Sequence, residues 1–337
     1  MRHIALLFAA ATLAFACGTP AQVTPDSGPA QSQGDGGITL AQSTIQVNLT
    51  ATQLSLSLGP LPVPAQSQIV YCANVTLPNE ATLPITSFTS TQSKGGHHVI
   101  VFANKVDTAE SPAVVCSQTI DPRTKTYIYI SQKEQDQQGF PPGVGLLVTG
   151  RTSVMLQVHY INTSSAPIQV STVVNMNIGA PGQVTIPAAP LLFYRGEFSV
   201  PPGASHVEAS CNVGQGFDVA MFAGHMHSHG TNFFLHMTQG LPDGGAPPFD
   251  AGNEQDLYDT TSWDSPPEQN YPNGFTVPDG GTFHWGCDYQ NDGTATIDEP
   301  DEMCAVLGNL YPAPHGGLIC YALKSGHCYC GYLGNAP

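Results

Sequence analysis

Alternating histidines in one short stretch are the first residues in this chain whose spacing could do chemistry. His225, His227 and His229 follow an apolar run that ends near residue 223. A β-strand places residues i, i+2 and i+4 on one face, so we expect the first two rings to point the same way. Two such imidazoles form half of a metal site. We predict that His225 and His227 bind a metal and that His229 supports a ligand or a water beside them; the alternative is a polar strand end.

A second pair, His97-His98, consists of chain neighbours, which face opposite sides in a regular strand. The preceding Gly95-Gly96 gives the backbone freedom that would let His97 turn to the side of His98. His159 lies opposite a core face of alternating apolar residues, on the same side as Gln157. Gln157 is a candidate to support a ligand from behind. The alternative for the pair is one surface histidine beside one buried histidine, and the alternative for His159 is an ordinary hydrogen-bonded residue.

Met303 stands between Glu302 and Cys304, an odd place for a methionine that only fills a core. Two imidazoles and a thioether make a soft donor set, which suits Cu(I). Zinc would more often recruit a cysteine or a carboxylate. The combination favours copper.

Short β-strands are the elements that must position these residues. Only 10% of the residues are charged, whereas the chain has 35 glycines and 29 prolines. Short alternating runs separated by turn residues predict an all-β protein of sandwich type. Turn residues cluster near 179–190, where we place a boundary between domains 41–185 and 186–337. Pro60, Pro62 and Pro64 predict a break in the first of these domains.

The first forty residues predict export. An apolar run, Ile4–Ala16, suits the core of a signal peptide spanning residues 1–17. Cys17 follows a small residue, as at a bacterial lipoprotein processing site, and is a candidate for lipidation; ordinary cleavage after Ala21 is the alternative. Residues 18–40 have the composition of a flexible tether. We therefore expect a lipoprotein of the bacterial outer membrane, periplasm or cell surface, or else a secreted protein.

Charge and cysteine content support this compartment. The formal net charge of −16 argues against a nucleic-acid partner, because phosphate binding needs a basic face. Eight cysteines remain besides Cys17, an even number that predicts disulfides but does not fix their pairing. Cys328 and Cys330 are too close in the chain to bridge each other easily. Asp288–Glu299 resembles a calcium-binding loop, although its strand-like flanks and Gln290 speak against calcium.

Four motifs, in order, resemble those of the ascorbate-dependent type II copper monooxygenases, the family of peptidylglycine α-hydroxylating and dopamine β-monooxygenases. They are His97-His98, Leu156-Gln-Val-His-Tyr160, His225-x-His227 and Glu302-Met-Cys304. Cys287-Asp-Tyr-Gln-Asn291 also looks like the family's approach to the methionine ligand. The resemblance extends over about residues 45–321.

The resemblance implies two tandem antiparallel β-sandwich domains of jelly-roll type, each with one copper, facing across an open cleft. The electron-transfer copper would be held by His97, His98 and His159. The copper that binds O2 would be held by His225, His227 and Met303, which are the expected catalytic residues. Two disulfides carry over, Cys287–Cys304 and Cys211–Cys320. Cys72–Cys116 is expected in the first domain without such support.

Three positions depart from the peptide-hydroxylating members, which have an arginine, an asparagine and a tyrosine where this chain has Ala223, Ala305 and Leu307. The resemblance therefore implies a copper monooxygenase that uses O2 and a reductant such as ascorbate to hydroxylate an unidentified, uncharged small-molecule or peptide substrate. Its alternatives are a non-enzymatic copper carrier at the cell surface and a structural lipoprotein held by zinc.

Overall fold

In the part of the chain that the computed structural model describes, residues 43–106, 108–117, 124–238, 254–299 and 301–333, every regular element is a β-strand. This confirms the all-β class that the short alternating runs predicted. The signal peptide, Cys17 and the tether predicted for residues 1–40 lie outside these ranges. Among the described residues, no helix is long and apolar enough to cross a membrane.

Two facing sheets form the amino-terminal half. Its strands are β1 (Gln46–Leu49), β2 (Gln53–Val63), β3 (Ser67–Thr76), β4 (Leu83–Gln92), β5 (Gly96–Asn104), β6 (Ser111–Val115), β7 (Lys125–Ser131), β8 (Gln135–Gly139), β9 (Val144–Val148), β10 (Ser153–Asn162) and β11 (Ile168–Ile178). One sheet has the order β6-β3-β10-β5-β7, and the other includes β1-β2-β11-β4-β9. Alternate apolar residues, such as Leu54 and Leu56 on β2 and Val99 and Val101 on β5, are buried in the core between them.

The carboxy-terminal half repeats this plan. Its strands are β12 (Ile186–Arg195), β13 (Ser199–Val200), β14 (Gly203–Asn212), β15 (Phe217–His225), β16 (Gly230–Thr238), β17 (Glu254–Thr260), β18 (Gln269–Val277), β19 (Thr282–Asn291), β20 (Ile297–Asp298), β21 (Ala305–Tyr311), β22 (Leu318–Ala322) and β23 (Cys328–Tyr332). The sheet β14-β19-β16-β17 packs against the order β12-β21-β15-β18. Phe193, Phe222 and Trp285 are among the large side chains buried in this second core.

The two halves are joined by more than the connecting chain. Strand β12 pairs in parallel with β9, so one sheet of each half continues into a single 12-stranded sheet. The hydroxyl of the buried Tyr127 lies 2.7 Å from the carbonyl oxygen of Leu191 and 2.6 Å from that of Gly308, which are opposite each other on β12 and β21. The backbone N–H groups of the same two residues donate to this hydroxyl.

The break predicted at the prolines is wrong. Strand β2 runs through Pro60 and Pro62 as far as Val63. Strand β1 pairs with β2 only as far as Ser57, so beyond that residue β2 has β11 alone as its partner. Proline lacks a backbone N–H but is tolerated in a strand whose other side is an edge.

Two predicted disulfides are present, Cys72–Cys116 and Cys287–Cys304. The predicted Cys211–Cys320 bond is wrong. Cys320 instead pairs with Cys330, and Cys211 pairs with Cys328. The reason is the antiparallel pairing of β22 with β23, which sets Cys320 directly opposite Cys330 and brings Cys328 to the neighbouring strand β14. Cys328 and Cys330 each bond elsewhere, as their close spacing led us to expect.

Candidate metal centre

A β-bulge brings His97 and His98 to the same side of strand β5. In the pairing of β10 with β5, His159 is opposite His98 and Tyr160 is opposite Gly96, so His97 is an extra residue in the ladder. Gly95 has a φ of +87°, which L side chains rarely adopt. The two glycines before His97 were expected to let the backbone turn at this place, and the turn takes the form of a β-bulge.

His97, His98 and His159 form one buried trio whose ring nitrogens lie within 4.8 Å of one another. Neither nitrogen of His98 has a hydrogen-bond partner among the described residues, and the same holds for Nδ1 of His159. Nε2 of His159 is 3.2 Å from Oε1 of Gln68. Buried polar atoms without partners are rare in folded proteins. One nitrogen from each of the three rings lies within 4.8 Å of the other two, so a metal ion bound there would satisfy one such atom on each ring.

Burial keeps these imidazoles in the neutral form that binds metals. It lowers the pKa of His97 to about 4, with the neighbouring His227 as the next cause. It lowers the pKa of His159 to about 3, helped by the nearby His97. Burial and the adjacent histidines also hold the pKa of His98 and of His225 well below the usual value. Metal binding therefore need not displace ring protons at neutral pH.

His225 is the last residue of β15 and His227 follows it by two residues, and the ring protons of both are fixed by carbonyl oxygens. Nδ1 of His225 is within hydrogen-bond distance of Oε1 of Gln132, whose NH2 group donates to the carbonyl of Gly224 at 2.9 Å. Nδ1 of His227 is 2.8 Å from the carbonyl oxygen of Asp301. A carbonyl oxygen only accepts, so each Nδ1 carries the proton and each Nε2 presents its lone pair.

Those two lone pairs face each other, with the Nε2 atoms of His225 and His227 only 3.2 Å apart. Such a contact is repulsive unless a cation lies between the rings. Two nitrogens bound to one four-coordinate ion at about 2.0–2.1 Å are themselves about 3.3 Å apart. The separation of the two rings therefore fits a shared metal ion.

Glu302 fixes the turn that follows His227. Its carboxylate is fully buried and accepts the backbone N–H groups of His227, at 3.1 Å, and of His229, at 2.8 Å. Nδ1 of His229 lies 2.9 Å from the same carboxylate. His229 thus supports His227 through Glu302. Met303, the next residue, lines the same cavity as His225 and His227.

The two ligand sets are in contact. The ring of His97 lies 6.5 Å from the rings of both His225 and His227, and the rings of His98 and His225 are 6.2 Å apart, measured between centroids. The family resemblance implied an open cleft between the two copper sites. No such cleft separates the described histidines of the two sets. Gln132 on one half and Gly224 on the other form one of the contacts that close it.

An apolar cavity of about 360 Å³ lies beside this five-histidine cluster. His98, His225, His227 and Met303 belong to its lining. The rest of the lining is mostly apolar and includes Ile100, Phe102, Ile130, Leu192, Ala305, Leu307 and Ile319. Its polar groups include Gln157, Tyr194, Glu299 and Tyr321. None of the described residues that line it is a lysine or an arginine.

A second cavity of about 920 Å³, the polar cavity, has mostly polar residues in its lining and also reaches the cluster. His97 forms part of its lining, with Trp263 packed at 5.4 Å from the His97 ring. Lys94 and Lys133 also line it. Lys133 is engaged with Asp136 and Glu268. The histidine cluster thus contributes residues to both cavities, His97 to the polar one and His98, His225 and His227 to the apolar one.

The structure gives Gln157 and the calcium-like segment roles that differ from those expected from the sequence. Gln157 lines the apolar cavity, but its NH2 group donates to the backbone carbonyl of Ser117 rather than to a histidine. The calcium-like loop does not gather its carboxylates. Asp288 pairs with His206, and Glu299 accepts from the hydroxyl of Tyr194.

Gln132, Gln68 and Trp263 were missed by the sequence reasoning. Each comes from a segment distant in the chain from the histidine it contacts, so no local pattern marks it. Glu302 did carry a signal, because an acidic residue directly before Met303 was part of the motif.

Comparison with known proteins adds little to this geometry. No protein-family model matches the chain, and no curated protein matches it. Among solved structures, the major capsid protein P2 of bacteriophage PM2 is similar over 77% of this chain and 97% of its own, at 9% identity and a TM-score of 0.29. A structure of Sulfolobus Turreted Icosahedral Virus is similar over 80% and 59%, at 11% identity and a TM-score of 0.21. Likeness at this level supports no functional argument.

Proposed function

We propose that this protein is an exported copper-dependent monooxygenase that hydroxylates a C–H bond of a small, uncharged and largely apolar molecule. The observation that carries the proposal is a cluster of five buried histidines, three of which line an apolar cavity together with Met303. The residue types and their order resemble the type II copper monooxygenases, and the disulfides fit an oxidising compartment.

His97, His98 and His159 would hold one copper, and His225, His227 and Met303 the other. When bound, copper would activate O2 and relay electrons from an external reductant such as ascorbate. In the overall reaction, a substrate C–H group, O2, two electrons and two protons give the alcohol and water. The reductant supplies the electrons and protons.

The chain's own residues define what can react. The apolar lining residues would exclude water and hold a hydrocarbon portion of the substrate beside His225 and His227. Tyr194 and Tyr321, which line the same cavity, would give a polar group on the substrate a hydrogen-bonding partner. A substrate carboxylate would find no arginine or lysine among the described lining residues, so charged substrates are disfavoured.

Copper analysis combined with oxygen uptake tests the proposal. We expect two copper equivalents per chain, a loss of about one in His98→Ala and of about one in His227→Ala, and no loss in His315→Ala, an exposed histidine packed on Tyr332. The wild-type chain should consume oxygen with copper, ascorbate and an apolar substrate. Two equivalents in either site variant would contradict the ligand sets. Copper binding without oxygen uptake across apolar substrates would support the carrier.

A further inference from the structure

A separate cluster of histidines and carboxylates occupies the outer face of the sheet β14-β19-β16-β17. His236 and His284 are directly opposite each other on β16 and β19, with ring centroids 6.1 Å apart. Their chain neighbours Leu235 and Trp285 are buried in the core, so the two rings point out of the other side of the sheet. This face is not part of either cavity beside the copper ligands.

Glu254 reaches both rings. Its carboxylate oxygens are 3.0 Å from Nδ1 of His236 and 3.4 Å from Nδ1 of His284. A register shift in the pairing of β16 with β17 puts Asp256, rather than the apolar Leu257, opposite His236. Glu254, two residues before Asp256, therefore shares the outer face. The three side chains are only 15–27% exposed.

A carboxylate also stands behind each ring. Nε2 of His236 is 3.4 Å from Asp256, and Nε2 of His284 is 3.3 Å from Glu208. A histidine that binds a metal through one nitrogen usually donates its other N–H to a carboxylate or a carbonyl. Here both rings direct Nδ1 toward Glu254 and have an outer acceptor for Nε2–H.

The charge at this face also favours a cation. Among the described residues, the ion pairs of Glu208, Glu254 and Asp256 involve histidines only, with no lysine or arginine. A histidine balances a carboxylate only when protonated. The site therefore concentrates negative charge around two imidazoles, and a divalent ion would take the place of the protons that lie between each Nδ1 and Glu254.

We propose that His236, His284 and Glu254 bind a divalent transition-metal ion of the zinc class, at a site independent of the two copper sites. The candidate ligand atoms lie within 4.8 Å of one another. Two imidazoles and a carboxylate are a known donor set for zinc, with a fourth position left for water. The ion would tie the start of β17 to β16 and β19, so its role is to stabilise the carboxy-terminal half.

Zinc titration of the full chain by calorimetry tests this site. His98→Ala/His227→Ala provides a background in which the copper ligands are impaired. In that background and in the wild type, His284→Gln and Glu254→Gln should each lose one zinc equivalent or weaken it more than tenfold. His206→Gln is the matched control, because this histidine lies on the same face but outside the trio; it should retain the zinc.

Unchanged stoichiometry and affinity in both His284→Gln and Glu254→Gln would overturn the proposal. A second measurement avoids dependence on the variants' folding: crystals of the unmodified chain grown with Zn²⁺ should give an anomalous zinc peak between these three side chains, and its absence would count equally against the site. Oxygen uptake by His284→Gln should equal that of the wild type. A failure of the copper proposal would leave these zinc results unchanged.

Discussion

Gln132, in the amino-terminal half, holds the ring of His225, in the carboxy-terminal half. The amide oxygen of Gln132 accepts the Nδ1–H of His225, and its NH2 group donates to the carbonyl of Gly224. The second bond fixes which end of the amide faces the ring. The tautomer of His225, and so the lone pair it offers to a metal, depends on a residue 93 positions earlier in the chain.

Removing this amide should weaken the second copper site. In Gln132→Ala the buried Nδ1–H of His225 loses its acceptor, and the ring is free to rotate or to change tautomer. Loss of such a partner typically costs about 10–100-fold in metal affinity or activity. Chelator competition and oxygen uptake would measure both. Gln137→Ala, an exposed glutamine on the same segment, should behave as the wild type; equal effects of the two variants would contradict this role for Gln132.

The polar cavity predicts where an anionic reductant approaches. Lys94 lines it near His97, so Lys94→Glu should raise the KM for ascorbate several-fold while kcat at saturating reductant changes little. The effect should shrink as salt is added. Lys324→Glu, on the turn between β22 and β23, is the charge-matched control. An equal change in KM with an uncharged reductant would mean that Lys94 does not act through its charge.

A peptide ending in glycine should be a poor substrate. Its carboxylate would enter a cavity where Ala305 and Leu307 offer no charge and where no described lining residue is cationic. An unpaired buried carboxylate costs a few kcal/mol, so hydroxylation should be negligible. Product analysis by mass spectrometry, run beside an apolar substrate of similar size, would check this. Efficient α-hydroxylation of the peptide would show that a cation reaches the cavity.

Glu268 should make stability depend on pH. Burial, and then the nearby Asp136 carboxylate, raise its pKa from 4.5 to about 7, so the folded state holds this proton more tightly than the unfolded state does. The resulting stability is complete below about pH 4.5 and is lost as the pH rises to about 7. The side chain of Glu268→Gln has no proton to lose in this range. The free energy of unfolding of this variant, relative to that of the wild type, should therefore increase between pH 5 and pH 8, by at most about 3 kcal/mol. Denaturation curves that differ by a constant amount across that range would rule out the titration.

Much of the placement of the candidate metal ligands could be predicted from local sequence, because residues two apart in a strand point to the same side. His225 and His227 needed only the two-residue repeat, and His97 needed only the glycines before it. The disulfide of Cys211 could not be predicted in this way. Its partner was decided by the pairing of β22 with β23, which depends on contacts between segments far apart in the chain.

The closeness of the two ligand sets was also beyond local reasoning. It results from the pairing of β9 with β12 and from single contacts such as Gln132 with Gly224, none of which has a sequence motif. The prolines of β2 show the same limit. Whether Pro60 breaks a strand depends on whether a neighbour needs its N–H, and strand β1 ends too soon to need it.

The buried Tyr127 hydroxyl restricts how this protein can move. Rocking the two halves apart would pull it away from the backbone of Leu191 and Gly308 and leave polar groups unpaired in an apolar layer. A hinge motion of that kind would be slow and rarely populated. If the protein is the monooxygenase proposed above, substrate would then reach the apolar cavity through rotamer changes of a few lining side chains rather than through separation of the halves. The histidines would keep one fixed spacing during the reaction.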